Sequence, residues 1–390
     1  MEKVKNAIFD FFRRTDKIFW LLTISATLYG FILIFSMSRA GGGAGFGFMF
    51  TQFLAVFIGY SVAIFLSTRD YGVISFYWIF FALAALAMLI YTQIFGWGPQ
   101  GVDDKSWVSF GPINFQPTEL VKIIFLITFS KHMSILKDRG LLETFKGVFY
   151  LGIHLLILVV LIHIQGDDGT ALVFVFMFLF MTFGGKVQLR YFTSLIIALS
   201  VSIPLIWNLL LNEDQKSRFL AVLDLDSSLL GAGWQQYQGK ISIASGELTG
   251  RGLFQGPRVS SGVVPYQESD FIFTVAGEEL GLIGCVVLIA ILFLMCLRAL
   301  KIGMMSRDLI GKSICFGFFG MVFSQATINI AMCLGLIPVI GITLPFFSSG
   351  GSSVMCLYFG VGLVQSVYAC RNDSNKVSTK SIRLGRLKLT

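Results

Sequence analysis

The chain has 390 residues, of which 55% are hydrophobic and only 13% are charged, and its mean hydropathy is +0.78. A soluble domain of this length could not bury so much apolar surface, so the composition excludes a soluble globular protein and indicates a polytopic membrane protein. The net charge of +8 comes from basic residues that are spread over several short loops and are not interleaved with aromatic residues. This pattern argues against nucleic-acid binding.

Apolar windows long enough to cross a bilayer recur along the whole chain, since a helical span needs about 20 largely apolar residues. Their centres lie near residues 28, 59, 83, 126, 156, 176, 200, 284, 323 and 360. The windows at 148–164 and 169–184 are short, and two of the residues in the gap at 165–168 are acidic. Acids there favour a tight interfacial turn over one long helix. We therefore predict an all-α membrane protein with about ten transmembrane helices.

Basic residues predict which side of the membrane each loop faces. Lys and Arg concentrate in the N-terminus, in the loops near 69, 131–146, 186–190 and 298–312, and from Arg371 onward. Because excess cations mark the cytoplasmic side, both termini are predicted to be cytoplasmic. The single membrane domain, 1–390, is then divided into a cytoplasmic N-terminus (1–17), helices one to seven (18–211), a large extracellular loop (212–270), helices eight to ten (271–370) and a basic cytoplasmic tail (371–390).

Cysteines and histidines give no sign of a disulfide or a metal site. All six cysteines lie in or at the ends of predicted spans, so they are interpreted as small apolar residues. The histidines share no metal-ligand spacing. His132 is interpreted as a cytoplasmic-loop residue, and His154 and His163 as hydrogen-bonded helix residues. The sequence therefore predicts no dedicated zinc site.

The loop at 212–270 is the one long connection, and long loops in compact folds usually carry function or are disordered. An alternating apolar pattern around 241–248, with glycines and aromatic residues nearby, favours amphipathic pieces that lie on the membrane surface. The glycines within 250–256 have the wrong spacing for a dinucleotide-binding loop.

Asp270 ends this loop at the start of an apolar helix. A carboxylate is costly to desolvate at a membrane, so a packing role explains it poorly and a role in chemistry is favoured. A helix N-cap is the alternative, because Asp often accepts a hydrogen bond from the first N–H groups of a helix. Glu278 and Glu279 lie roughly two turns further along, and only one of them can share the face of Asp270. Glu278 is kept as a cavity candidate, and one of the two is expected to bind a neighbouring helix.

A polar pair interrupts the apolar segment around 115–122. Pro117 suits the first turn of a helix, and Glu119 and Lys122 at i and i+3 share one face. We expect the pair to point into a polar cavity. An ion pair that neutralises itself at the membrane edge is the alternative.

The segment 337–353 breaks its apolar pattern with two prolines, glycines and a serine cluster. Irregular backbone at membrane depth needs protein or a water-filled cavity around it, so the segment is interpreted as re-entrant or cavity-lining, or else as a structural hinge. Backbone N–H groups at the start of the last span could receive a phosphate or pyrophosphate. The candidate residues are Ser348, Ser349, Gly350 and Gly351.

Five of these stretches, in order, resemble the SEDS family of cell-wall polymerases, the shape, elongation, division and sporulation proteins. They are FQPTELVK (115–122), QGDDGTA (165–171), YQGKISIASGELTGRG (237–252), ESDFIFTVAGEELGLIG (268–284) and IPVIGITLPFFSSGGSS (337–353). The resemblance is collinear and covers almost the whole chain. The segment after Tyr237 and the short basic tail are more similar to the elongation branch of the family than to its division branch.

The resemblance implies a peptidoglycan glycosyltransferase of the bacterial cytoplasmic membrane, which polymerises lipid II at the outer face and releases undecaprenyl pyrophosphate. It implies that Asp270 is the essential acid, with Ser269 in place of the usual Thr. Inversion at the anomeric centre calls for one general base and for cations that stabilise the departing pyrophosphate. Asp270 is the expected base.

Further site residues follow from the same resemblance. Lys122 and Arg218 are the expected partners of the pyrophosphate, while Glu119 holds Lys122 and Asp167 holds the cavity together. Trp107 matches an outward-loop Trp of the family. No dedicated cofactor is implied, although a divalent cation, Mg²⁺ or Mn²⁺, held by outward acids would add to the stabilisation of the leaving group.

This chain carries no complete transpeptidase motif set, so the cross-linking partner is expected to be another protein, and the resemblance implies that it is a class B penicillin-binding protein. Its single span would pack against the helices, and its stalk would contact the 212–270 loop. Two other functions stay open: a flippase that carries lipid II across the bilayer, and a scaffold that only activates a transpeptidase. A flippase has no evident need for a general base on one face of the membrane.

Overall fold

The computed structural model describes residues 11–372 apart from 41–43, 99–104, 111–112 and most of 210–232. The first helices are α1 (Lys17–Ala40), α2 (Ala44–Ser67), α3 (Tyr71–Phe76) and α4 (Trp78–Phe95). A hairpin of β1 (Val108–Phe110) and β2 (Ile113–Phe115) leads into α5 (Pro117–Asp138), α6 (Phe145–Ile164), α7 (Asp168–Gly184) and α8 (Leu189–Leu209). The remaining helices are α9 (Trp234–Ser245), α10 (Pro257–Ser261), α11 (Ile272–Met304), α12 (Leu309–Cys333) and α13 (Gly351–Ala369).

Each predicted apolar window lies on a helix. In the described part of the chain, seven helices are long and apolar enough to cross a membrane: α1, α2, α4, α6, α11, α12 and α13. The windows near 126, 176 and 200 lie on α5, α7 and α8, of which α7 is shorter and α5 less apolar. The turn predicted at 165–168 does separate α6 from α7. The protein is thus a polytopic helical membrane protein, as predicted.

The centre of the bundle is formed by α12 and α13, which are the most buried of the long helices. α13 packs along α2, and α12 packs against α5, α7 and α11. Small residues make the closest approach possible: a Cβ on Gly362 of α13 would lie 2.7 Å from the Ala63 Cα of α2. Close backbone packing of this kind replaces the hydrophobic drive that is absent between helices in lipid.

Several helix ends are joined by charged side chains on one face of the bundle. Asp16, just before α1, forms an ion pair with Arg298 of α11, and its N–H donates to the Gln365 side chain of α13 at 2.7 Å. Asp70, before α3, pairs with Arg307 at 2.8 Å. The chain therefore enters α1 and leaves α13 on the same side, which is the side that the basic residues predict to be cytoplasmic.

α11 is broken at Gly281, where φ is 65° and ψ is −162°. The carbonyl groups of residues 278–279 accept hydrogen bonds from the N–H groups of residues 251–252 at 2.9 and 3.1 Å. The N–H groups of residues 282–283 donate to the carbonyls of residues 247–248 at 2.9 and 3.1 Å. The outward loop thus satisfies the backbone that the break exposes, which is the condition for irregular backbone at membrane depth.

The helix α9 differs from the amphipathic surface piece that the sequence predicts. Gln236, Gln238 and Ser242 are buried, and the Gln236 amide donates to the carbonyls of Met332 and Ile337 at 3.1 and 2.6 Å. The polar face of α9 packs on the protein because the end of α12 leaves carbonyls that need donors.

All six cysteines are buried, in agreement with their interpretation as small apolar residues. The interpretation of His132 as a loop residue is wrong, because it lies within α5 and contacts His154 of α6. Of the predicted segments, residues 1–10 and 373–390 and most of 210–232 lie outside the described residues.

Candidate active site

Asp270 lies in the turn before α11 and is partly buried. The N-cap position of α11 is Phe271, with no side-chain cap, so the alternative interpretation of Asp270 as a helix cap is wrong. Its carboxylate accepts a hydrogen bond from Ser269 and takes part in none of the ion pairs among the described residues. Burial raises the pKa of Asp270 to about 6, aided by the nearby charge of Glu268 and opposed by the Ser269 hydrogen bond.

The backbone of this turn is fixed at three consecutive carbonyl groups, those of residues 268, 269 and 270. They accept hydrogen bonds from the Ser349 N–H at 2.8 Å, the Ser348 hydroxyl at 2.5 Å and the Asn329 amide at 2.7 Å, respectively. The Asn329 amide also donates to the Ile342 carbonyl at 2.7 Å. Donors from α12 and from the segment that follows it therefore position Asp270 without engaging its carboxylate.

The carboxylate of Asp270 lies beside an exposed glycine. A Cβ on Gly341 would be 3.8 Å from Asp270 Oδ2, and Gly341 has a φ of +70°, which side-chain-bearing residues rarely adopt. The position therefore requires glycine, and a side chain there would lie against the carboxylate.

The segment 337–350, between α12 and α13, is irregular, as predicted, and joins the motifs that are far apart in sequence. The Gln116 N–H before α5 donates to the Ser352 hydroxyl at 3.3 Å. A Cβ on Gly169 of α7 would lie 2.7 Å from Ile340 Cγ2, so α7 packs directly on the segment. The start of α7 and the Asp270 turn thus meet this segment, and the start of α5 meets the first turn of α13 directly after it.

Three of the residues predicted to hold a phosphate already bond within the protein. Ser348 Oγ accepts from the Leu344 N–H at 2.8 Å and donates to the 269 carbonyl, and the Ser349 N–H donates to the 268 carbonyl. The Gly350 N–H donates to Gln52 Oε1 at 3.4 Å. The N–H groups that have no carbonyl within their own helix are those of the first turn of α13, which begins at Gly351.

Asp167 joins α5 to α7. Its Oδ1 accepts from the Thr170 N–H at 3.0 Å, which caps α7, and its Oδ2 accepts from Gln116 Nε2 at 2.8 Å. Gln116 precedes Pro117 at the start of α5. Asp167 therefore connects the starts of α5 and α7, and its role in holding a substrate cavity together stays a prediction.

Glu119 and Lys122 form a buried ion pair instead of lining an open cavity. The Lys122 Nζ to Glu119 Oε2 distance is 2.9 Å, and the two side chains are only 1% and 6% exposed. The geometry is that of the alternative interpretation, a pair that neutralises itself. A buried pair must stay intact, because removing one partner leaves an uncompensated charge in the interior.

Glu278 and Glu279 fasten the broken helix to its surroundings. Glu278 Oε1 accepts from the Arg258 N–H of α10 at 2.7 Å, and Glu279 Oε1 accepts from the Ser36 hydroxyl of α1 at 2.6 Å. The second contact confirms that one of the two binds a neighbouring helix. The other carboxylate oxygen of each glutamate, Oε2, has no hydrogen-bond partner among the described residues.

The remaining predicted site residues are placed as follows. Trp107 is half-buried beside the hairpin, and its backbone pairs with Trp97 at 2.8 and 3.0 Å. Arg218 lies outside the described residues. The part of the chain that is described brings no three His, Cys, Asp or Glu side chains together in a way that fits a metal ion, so we assign no step to a metal.

Sequence reasoning missed Asn329 and Gln116, which hold the two acids of the site. The sequence does contain a signal for Asn329, because an amide side chain within the apolar window of α12 is costly to bury unless it forms hydrogen bonds. Gln116 lies in the FQPTELVK stretch, but nothing in its position along the sequence indicates that its side chain reaches Asp167.

Curated relatives cover almost the whole chain. The peptidoglycan glycosyltransferase MrdB of Escherichia coli K12 is 28% identical over 364 residues, which are 93% of this chain and 95% of the relative. A probable peptidoglycan glycosyltransferase FtsW of Geobacter metallireducens is 29% identical over 361 residues, 91% of this chain and 94% of the relative. Similar identity to both leaves the choice of the elongation branch a prediction.

Solved structures share the fold. A chain of a peptidoglycan synthase complex that coordinates polymerization and crosslinking matches with a TM-score of 0.76 and 26% identity, over 92% of this chain and 99% of that one. The rod shape determining protein RodA of Thermus thermophilus matches with a TM-score of 0.65 and 23% identity, over 92% of this chain and 98% of that one. The cell cycle protein family model of FtsW, RodA and SpoVE matches residues 16–373, so the chain belongs to this family.

Proposed function

We propose that the protein is a peptidoglycan glycosyltransferase that polymerises lipid II at the outer face of the cytoplasmic membrane, with Asp270 as its general base. The observation that carries the proposal is a carboxylate that has no ion-pair partner among the described residues, is held by its backbone and lies beside Gly341. The names of the relatives, peptidoglycan glycosyltransferases, support the reaction class.

Asp270 would accept the proton of the acceptor sugar hydroxyl as that oxygen attacks the anomeric carbon. The bond from this carbon to the pyrophosphate breaks on the opposite side, so the configuration inverts and undecaprenyl pyrophosphate leaves. A pKa of about 6 keeps most of the carboxylate ionised at neutral pH while keeping it a stronger base than an ordinary Asp. Fixed backbone contacts on both sides of the turn limit its motion and so favour the reactive geometry.

Charge that develops on the departing pyrophosphate needs donors or cations. The first-turn N–H groups of α13 and the Arg218 side chain are the proposed partners, and the N-terminal end of a helix favours an anion. Lys122 is buried with Glu119, so in this conformation it stabilises α5 without contacting substrate. Asp167 holds the start of α5 against α7.

A class B penicillin-binding protein is the proposed partner, in keeping with the similarity to a chain of a peptidoglycan synthase complex. The outward loop is hydrogen-bonded to α11 at its break, and α11 begins one residue after Phe271. A partner that presses on this loop would therefore move the turn that carries Asp270. Polymerisation that is unchanged by a fused or co-purified partner would contradict this coupling.

The test is glycan-chain formation from lipid II by the purified protein with its penicillin-binding partner, whose transpeptidase is blocked by a β-lactam. Asp270→Ala and Asp270→Asn should lose roughly 100-fold or more of the rate, as general bases contribute about 10²–10⁴. The matched control is Glu247→Gln, an exposed acid of the same loop, which should polymerise normally.

Two outcomes would overturn the proposal. Full activity of the Asp270 variants would remove Asp270 from the chemistry. No polymer from the native complex, with lipid II carried across vesicle membranes, would favour a flippase instead.

A further inference from the structure

A cavity lies between α4, α5 and α6, apart from the Asp270 turn. Its volume is about 340 Å³, and apolar side chains such as Ala85, Val121 and Leu158 make up most of its wall. This size falls within the range of roughly 300–1,000 Å³ that is typical of ligand pockets. The cavity is large enough to bind a molecule or part of one.

The polar groups on its wall satisfy one another. His132 Nδ1 and His154 Nδ1 are 3.1 Å apart, so one ring donates and the other accepts, and the Thr128 hydroxyl is 3.4 Å from His154 Nε2. The Trp78 ring stacks on His132. Because this small network has partners, the cavity does not need water, and apolar cavities of this kind bind apolar molecules instead.

The cavity opens toward lipid in the cytoplasmic half of the bundle. Trp78 is the first residue of α4, and Tyr150 lies within two turns of the start of α6, next to the predicted cytoplasmic loops. On the same helix, Ile153 and Ile157 line the cavity and are 40% and 47% exposed. Exposed isoleucines on a membrane-spanning helix face hydrocarbon, so whatever enters comes from the inner leaflet.

Two basic side chains lie near this cavity. Lys146 Nζ lies 5.9 Å from the centre of the Tyr150 ring, and Tyr150 lines the cavity. Arg139 follows α5, before the turn into α6, and its charge acts on His132 of the cavity wall. Neither Lys146 nor Arg139 forms an ion pair in the described part of the chain. Basic residues at a pocket between helices on the cytoplasmic side favour anionic lipid headgroups.

We propose that this cavity binds one acyl chain of an anionic phospholipid of the inner leaflet, with the headgroup phosphate at Lys146. A transmembrane helix of another protein is about 10 Å wide with its side chains, so it could cover the entrance but not enter. The polyprenyl chain of an outward-facing lipid precursor would lie in the opposite leaflet. The proposal does not depend on the proposed polymerase function.

The test is native mass spectrometry of the full chain released from nanodiscs that contain dioleoyl phosphatidylglycerol and dioleoyl phosphatidylethanolamine. Ala82→Phe fills the cavity from α4, and Ala84→Phe adds the same ring to an exposed position of that helix outside the cavity. Lys146→Gln removes the headgroup contact, and Lys301→Gln removes an exposed lysine at the end of α11. Thermal unfolding of each variant shows that it is folded.

The native chain should retain phosphatidylglycerol in preference to phosphatidylethanolamine. Ala82→Phe should lose the retained lipid and Ala84→Phe should keep it, while Lys146→Gln should weaken phosphatidylglycerol retention about fivefold and Lys301→Gln should not. Equal retention of both lipids by the native chain, or retention by folded Ala82→Phe as strong as by Ala84→Phe, would overturn the proposal.

Discussion

The cytoplasmic face of the bundle and the Asp270 turn on the outward face use charged side chains in opposite ways. On the cytoplasmic face, Asp16 pairs with Arg298 and Asp70 pairs with Arg307, and each pair joins separate helix ends. On the outward face, Asp270 has no cation partner among the described residues, and its turn is held by neutral donors. The cytoplasmic charges are thus used in holding helices together, whereas the outward carboxylate is left free to react.

The backbone also differs between the cytoplasmic and the outward face of the bundle. Helices on the cytoplasmic face end in ordinary turns, whereas the outward face contains the break at Gly281 and the irregular segment 337–350. Irregular backbone within a membrane is stable only where other groups satisfy it. Here side chains and loop carbonyls do so, and they also position Asp270. Changes on the cytoplasmic face should therefore alter stability alone, and changes on the outward face should alter activity as well.

The largest effect is expected from Glu119→Ala. This change leaves the Lys122 ammonium buried without its partner, which should cost about 3–5 kcal/mol of stability. Thermal unfolding in detergent would measure the loss. The double variant Glu119→Leu with Lys122→Met removes both charges and should recover most of the stability. If Glu119→Ala unfolded like the native chain, the pair would be hydrated, and our description of it as a buried ion pair would be wrong.

Asn329→Ala should lower both stability and activity. The change leaves the buried carbonyls of Asp270 and Ile342 without their donor, at a cost of about 1–3 kcal/mol for each. The loosened turn should reduce lipid II polymerisation by up to about 100-fold. Gln325→Leu, one turn earlier on α12, is the control and should keep its activity. Unchanged polymerisation by Asn329→Ala would show that the turn does not need this support.

Gly281→Ala should disturb the outward face through its backbone. Alanine would have to adopt a φ of 65°, and its Cβ would lie 2.4 Å from the Gly250 nitrogen. Strain of this kind costs about 1–3 kcal/mol. Both the unfolding temperature and the polymerisation rate should fall. Gly152→Ala on α6, where nothing lies within 4 Å of the added Cβ, should leave both nearly unchanged.

Arg298→Gln tests the cytoplasmic face. The loss of a hydrogen bond between charged groups should cost about 2 kcal/mol, since Asp16 keeps its bond from the Phe19 N–H at 2.7 Å. The rate of polymerisation per folded molecule should stay at the native value. A specific loss of rate at temperatures where the variant is folded would break the contrast between the two faces.

The sequence was sufficient for the helices but not for the contacts between them. Apolar runs of membrane length predict where each helix lies, because lipid requires such runs. The break at Gly281 was not predicted, since glycine is common within membrane helices and the break depends on the loop backbone at 247–252. The Asp270 turn was located from one costly carboxylate, whereas the role of Ser348 and Ser349 as its donors depends on tertiary contacts that no local pattern shows.

The pH dependence of lipid II polymerisation at saturating substrate tests the central claim most directly. A base must be deprotonated to act, and burial raises the pKa of Asp270 to about 6, so the rate should be constant above neutral pH and fall as the pH drops below about 6. On the acid side the rate should fall about tenfold for each pH unit while the protein stays folded. A rate that stays constant down to pH values near the ordinary pKa of Asp, about 4, would contradict Asp270 as the base in this buried turn.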